Sequence, residues 1–249
     1  MIGVERSDRL AFEGVANMAR ALQVAMDFGG SEVHAFSRTD MLNRYRRYSA
    51  IRKDVQTAAL ESVAMSRLLA HAKRIGLSDG KVFFTDDDVE LTFVFDLAVY
   101  TSESGRTRAI DRCVRKLARI ADPDEALVLR GLQASRFSIF GTVGRCQPAG
   151  VLLKDLMRGG EVVLLDEGLE QTAKPGDVYA MRVAPLEDFV ISCGVVVPLG
   201  AQAFVKIINF LTDGKPDADR ASLADDRRFA ASLYKVAIEF GLMERVDYR

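Results

Sequence analysis

FSIFGTVGRCQPAGVLLKDLMRGGEVVLLDEGLEQTAKPGDVYAMRVAPLEDFVISCGVVVPL, residues 137–199, is the stretch that decides the fold. It divides into five short runs, Phe137–Gly144, Val151–Met157, Glu161–Leu165, Asp177–Ala184 and Phe189–Val197, each rich in Val, Ile, Leu or Phe and of strand length. The breaks between them carry turn chemistry. Arg158-Gly159-Gly160 reads as a hairpin turn, and Lys174-Pro175-Gly176-Asp177 has the Pro-Gly of a type II turn. Val178, Ala180, Arg182 and Ala184 alternate against Tyr179, Met181 and Val183, whereas the final run is partly all-apolar, which predicts that both of its faces are covered. The stretch predicts a small five-stranded antiparallel half-barrel packed against helices.

Sequence on both sides reads as helix. Over Glu5 to Phe28 the apolar positions Leu10, Val15, Met18, Leu22 and Met26 mostly recur three to four apart, and Gly29-Gly30 ends the pattern. Ser37 with Asp40 forms a capping box that opens a long helix through Tyr45, Tyr48, Ile51 and Val55. That helix continues, with a break near Ser49, to Gly76 and pairs antiparallel with the first. Ser78-Asp79-Gly80 is a turn, and Lys81–Phe84 a short extended piece. Val89–Tyr100 reads as a helix with acidic residues in its first turn, although its Val and Phe content makes a strand the rival reading. Thr107–Ile120 is a helix, and Pro123 starts another from Asp122 to about Ser135.

After the strands, Ala201–Leu211 is a helix, Asp213-Gly214-Lys215-Pro216 a break, and Ser222 with Asp225 a second capping box before a helix over Phe229–Gly241. The fold class is therefore α+β: a helical region over 1–135, a small antiparallel β-barrel over 136–199, and C-terminal helices packing back over 200–249. No repeat of fixed period appears.

With 249 residues the chain can bury a real core, and 49% hydrophobic with 28% charged residues is the balance of a soluble globular protein. The longest apolar run, Phe189 to Phe204, is too punctuated for a membrane helix, and no secretory leader is read before the first helix. A cytoplasmic, membrane-free protein is expected. Cys113, Cys146 and Cys193 form no CxxC pair and read as buried free thiols. His34 and His71 show no ligand spacing, and GxGxxG, GxxxxGK[ST] and GxSxG are absent, so no cofactor or resident metal is expected. Asp86, Asp87, Asp88 and Glu90 could hold a hard cation, but a solvated helix N-terminus explains them equally.

The net charge is −1, yet charge is unevenly spread. Residues 38–53 and 106–119 each carry an excess of five positive charges. Arg44, Arg46, Arg47 and Arg52 interleave with Tyr45 and Tyr48, the mixture that phosphate neutralisation plus base stacking would use. Arg108, Arg112, Arg115 and Arg119 form a second stripe, opposite Ile110, Cys113, Val114 and Leu117. For both stripes the bland reading is a solvated or acid-paired helix face.

The segment Val151-Leu152-Leu153-Lys154-Asp155-Leu156-Met157, Gly160-Glu161 and then Pro175-Gly176-Asp177-Val178-Tyr179-Ala180-Met181-Arg182-Val183 resembles bacterial proteins associated with the SEC-C motif. The resemblance covers roughly residues 120–200 and implies a small barrel following a helical region. The cysteine-rich zinc motif that names those proteins is missing from this chain.

Three functional expectations follow. The first is a non-enzymatic cytoplasmic adaptor or regulatory protein acting through protein contacts, as a homo-oligomer or with another protein. The second is a nucleic-acid-binding regulator using the two arginine stripes. The third is a divalent-metal-dependent enzyme using the Asp86–Glu90 cluster. The arrangement of the basic helices discriminates: one shared exposed face favours nucleic acid, and a cover of acidic residues favours the adaptor.

Overall fold

The structure, a computed structural model, describes residues 37–102, 105–200, 204–205, 207–209 and 219–243. The helix expected over Glu5–Phe28, its pairing with the next helix, His34 and the break at Asp213-Gly214-Lys215-Pro216 lie outside the described residues.

The first described helix, α1 (Arg38–Glu61), starts at a full capping box, in which Ser37 Oγ accepts from the Asp40 N–H and the Asp40 carboxylate accepts from the Ser37 N–H. It runs through Ser49 without a break. Tyr48 and Val55, both buried, hold the turns on either side of that serine, and the interruption comes instead at Ser62–Ala64. α2 (Met65–Ile75) then ends on Gly76, whose φ of 87° is the left-handed cap that glycine adopts without strain. In place of an extended Lys81–Phe84 there is one isolated bridge between Ser78 and Phe83.

Residues 88–100 are helical: α3 (Asp88–Tyr100) is capped by Asp87, whose carboxylate accepts from the N–H groups of Val89 and Glu90. Its Val and Phe content reflects burial, since Phe93, Val94 and every residue from Asp96 to Tyr100 are buried. α4 (Ala109–Leu117) follows, and then α5 (Pro123–Gln133), opened by an Asp122/Glu125 capping box with Pro123 in its first turn.

Five strands come next: β1 (Arg136–Arg145), β2 (Val151–Asp155), β3 (Glu161–Leu165), β4 (Val178–Pro185) and β5 (Val190–Leu199). Each lies where the sequence places it, with ends shifted by no more than two residues. The topology departs from expectation in two ways. The sheet is mixed, because β3 and β5 run parallel through Leu164/Val190 and Leu165/Ile191. It also closes on itself in the order β1-β2-β3-β5-β4, since β4 pairs with β1 as well as β5, so it is not a half-barrel. A short helix, α6 (Glu167–Thr172), causes both effects. It carries the chain from the end of β3 to the start of β4, and β5 then returns alongside β3 in the same direction.

Strand alternation sorts side chains between two cores. Phe140, Val151, Leu153, Leu164, Met181 and Val183 fill the interior of the closed sheet. Phe137, Ile139, Ala180, Val195 and Val197 face outward and pack with α2, α3 and α8 (Phe229–Glu239). Ala184, Phe189, Ile191 and Cys193 pack instead with α1, α4 and α5. The expectation that both faces of the last strand are covered agrees with this. After β5, Phe204, Val205 and 207–209 are helical. α7 (Arg220–Asp225) is capped by Asp219, which accepts from the Ala221 N–H and the Ser222 hydroxyl, so the capping box expected at Ser222 and Asp225 does not form.

One polar contact joins the layers. Arg182 of β4 donates from Nε and Nη2 to the two carboxylate oxygens of Asp96 on α3, at 2.9 and 3.0 Å, and Tyr234 of α8 donates to Asp96 at 3.0 Å. All three residues are buried. Burial alone would favour neutral Arg182, but Asp96 more than offsets it and raises the guanidinium pKa.

Asp96→Asn would leave a buried guanidinium uncompensated, and urea denaturation should show a loss of about 3–5 kcal/mol. Gly131→Ala tests the seat of α5 on β4, because a Cβ there would sit 2.6 Å from the Pro185 carbonyl oxygen. The helix would have to lift, at a cost of about 1–3 kcal/mol in the same measurement.

Candidate anion-binding groove

Four of the five arginines of α1 are occupied by acid. Arg38 is bound by Glu170 of α6 and donates to the Pro148 carbonyl; this pairing holds the Glu170 carboxyl below its ordinary range. Arg44 pairs with Asp188 at 3.1 Å while its guanidinium lies over the Tyr48 and Phe189 rings. Arg46 pairs with Glu167 at 2.7 Å, and Arg47 with Asp122 and Asp124 at 3.1 and 2.6 Å. Arg52 donates to Gln56, which itself donates to the Cys193 carbonyl and the Tyr100 hydroxyl. Tyr48 is buried and stacked on Phe189, and Tyr45 is half-buried, its hydroxyl pKa raised chiefly by burial. This stripe is a seam that fastens α1 to the acidic loops of the sheet.

The second stripe is largely satisfied within its own helix. Arg108 grips Asp111 with Nε and Nη2 at 2.8 and 2.7 Å and donates to the Gln133 carbonyl. Arg112 donates to the Thr107 carbonyl, Arg115 to the Asp111 carbonyl, and Arg119 is exposed past the end of α4. α1 and α4 pack together through Tyr48, Val55 and Ala59 against Ile110, Cys113 and Val114, and their arginines go to different partners.

Positive charge gathers elsewhere. Thr101 and Ser102, at the end of α3, form the shared wall of three adjoining recesses of about 20, 260 and 400 Å³. Nine cations line them: Arg67 and Arg74 from α2, Arg108, Arg136, Arg158, Arg182, and Arg227, Arg228 and Lys235 around the start of α8. Six have a carboxylate partner, namely Arg108–Asp111, Arg136–Asp155, Arg158–Asp225, Arg182–Asp96, Arg228–Asp226 and Lys235–Glu239. The side chains of Arg67, Arg74 and Arg227 make no hydrogen bond or ion pair with another described residue, although Arg227 helps hold the Asp226 carboxyl down, and the described lining carries a surplus of positive charge.

Buried acid positions the lining. Asp155 is 1% exposed, and its Oδ1 accepts from Ser138 Oγ and from the N–H groups of Met157 and Arg158, fixing the turn that presents Arg158. Its other oxygen stands 3.6 Å from Arg136 Nε. Arg158 then spans to the far wall, donating to the Phe137 and Ala224 carbonyls and, from Nε and Nη2, to one oxygen of Asp225. Asp225 therefore shows where an anionic oxygen sits in this groove. Ser135 Oγ, on the same wall, is buried with no hydrogen-bond partner among the described residues.

Of the residues singled out in the sequence, Arg108 lines the groove, while Arg44, Tyr45, Arg46, Arg47, Tyr48, Arg52, Arg112, Arg115 and Arg119 do not. Arg67, Arg74, Arg136, Arg158 and Arg227 carried no local signal, being spread over some 160 residues and in no common run. Asp86, Asp87, Asp88 and Glu90 form the exposed N-terminal end of α3, and among the described residues no three His, Cys, Asp or Glu side chains cluster as metal ligands would. Cys113 and Cys193 are buried, and burial pushes the Cys193 thiol up to about 11, which makes it a poor nucleophile.

Asp226, in the turn before α8, is held at about 2 by the Arg228 side chain and then by the Arg228 N–H. A carboxyl depressed on folding contributes stability that is complete above its unfolded pKa, about 3.9, and is lost as pH falls towards the folded value. The difference in urea midpoint between the wild type and Asp226→Asn should be constant at neutral pH and should shrink between roughly pH 4 and pH 2.

The chain matches a family of unknown function (DUF7986) over residues 39–213 and belongs to that family. No curated protein and no solved structure matches it. Among the described residues no helix is long and apolar enough to cross a membrane.

Proposed function

We propose that this member of the DUF7986 family is a non-enzymatic regulatory protein whose working surface is the arginine-lined groove beside Thr101 and Ser102, and whose ligand is an anion. The observation that carries this reading is the surplus itself: Arg67, Arg74 and Arg227 line the recesses with no ion pair among the described residues, although the arginines of α1 are almost all paired. Arginine in such a setting offers planar, bidentate donors to carboxylate or phosphate oxygens.

The sheet supports placing the site there. Its closed order, with a helix between the third and fourth strands, resembles that of an OB-fold, a barrel that takes oligonucleotides or oligosaccharides across strands two and three and the loops joining strands one to two and four to five. In this chain those two loops are held by α1, through Arg38 to the Pro148 carbonyl and Arg44 to Asp188, and acidic Glu187 stands beside them. An incoming polyanion would meet carboxylates there. The groove lies at the other end of β2, at the turn carrying Arg158.

A second reading, an adaptor for another protein, is favoured by Val82 and Phe84, which are 57% and 63% exposed in the turn before α3.

Calorimetric titration with inorganic pyrophosphate tests the main reading. Binding should weaken as salt rises and should be abolished in Arg74→Glu/Arg227→Glu, whereas Arg46→Glu/Arg47→Glu should bind as the wild type does. Binding lost only in the α1 variant would contradict it.

A further inference from the structure

The groove is not a uniform cationic surface, and its two larger recesses differ in chemistry. The recess of about 260 Å³ is walled by Arg136, Arg158 and Arg227 together with Asp225 and Asp226, and Ser135 Oγ on its wall is unpartnered among the described residues, so its donors outnumber its carboxylates. The recess of about 400 Å³ exposes more apolar than polar surface, with Leu97 and Ala231 in its walls beside Arg74, Arg227, Arg228 and Lys235. Arg227 lines both, so a ligand bridging the two would place its most negative part beside that side chain.

We infer that the ligand is a small molecule with a diphosphate or triphosphate joined to a less polar body, the nucleoside di- and triphosphates being the class that fits. The inference rests on the anion-binding reading of the groove and extends it. Arg74 and Arg227, which have no ion pair among the described residues, line these two recesses, and the charge they leave unmet suits a diphosphate better than the single charge of a simple carboxylate. The two recesses together lie within the several-hundred-Å³ range of small-molecule sites. The bond from Arg158 to Asp225 marks one phosphate-oxygen position, because Asp225, whose side chain is 70% exposed, can turn out to solvent and give up its place. A single nucleic-acid strand suits the groove less well. Tyr100, Phe137 and Phe229, the aromatic residues on its walls, are each at most 5% exposed and offer no stacking platform for successive bases.

Titration of the full chain with pyrophosphate, with a panel of nucleoside diphosphates and with a twelve-residue single-stranded oligonucleotide separates the outcomes. At least one nucleoside diphosphate should bind about tenfold or more tighter than pyrophosphate, since the apolar recess then contributes as well. Arg227→Glu should remove both, whereas Ala231→Phe, which fills the more apolar recess, should weaken the nucleotide by a larger factor than it weakens pyrophosphate. Circular dichroism of each variant guards against unfolding. Pyrophosphate binding as tightly as every nucleotide, or the oligonucleotide binding where mononucleotides do not, overturns this inference while the anion groove stands. Failure of every anion to bind overturns both.

Discussion

The buried contact among Asp96, Arg182 and Tyr234 is the constraint on which the arrangement of layers depends. It ties α3, β4 and α8, three elements far apart in sequence, through one carboxylate that accepts three hydrogen bonds. A charge pair withdrawn from water is costly unless its geometry is complete, and here both donors of the guanidinium edge and a tyrosine hydroxyl complete it. The Tyr100 ring lies 4.6 Å from the Arg182 guanidinium carbon, and the Phe137 ring 5.6 Å. Apolar packing around this contact would tolerate some sliding of helix on sheet, but a bidentate pair would not. Because Arg182 also lines the groove, the same contact sets the position of the groove floor.

Arginine does two different jobs in this chain, and only the partners tell them apart. Along α1 the guanidinium groups of Arg38, Arg44, Arg46 and Arg47 meet carboxylates or an aromatic ring of the sheet, its connections or α5, so charge is spent on docking one helix. Around Thr101 and Ser102 the described carboxylates are fewer than the cations, and positive charge is left facing a recess. Helix position, not local charge density, distinguishes a structural clamp from a binding surface.

That distinction explains what was legible in the sequence. Strand-length apolar runs and the Pro-Gly and Gly-Gly turns located all five strands, because those signals are local. Helix α6 escaped notice, since six residues held by the Asp166 cap carry too little periodicity to stand out, and with it went the parallel pairing of β3 and β5. The arginine runs were conspicuous for being contiguous, yet their partners, such as Glu167, Glu170 and Asp188, lie more than 100 residues away. The groove has the opposite character: it is assembled from α2, the end of α3, the starts of β1 and α8 and one tight turn, so no window of sequence contains it.

Backbone amide shifts followed by two-dimensional NMR during a pyrophosphate titration test the central claim most directly, because they report location. Pyrophosphate bound in the groove should shift Thr101, Ser102, Arg136, Arg158 and the turn Asp225–Phe229, with α1 and α6 unchanged. Shifts concentrated at Arg44–Arg52 and Glu167–Glu170 would contradict it.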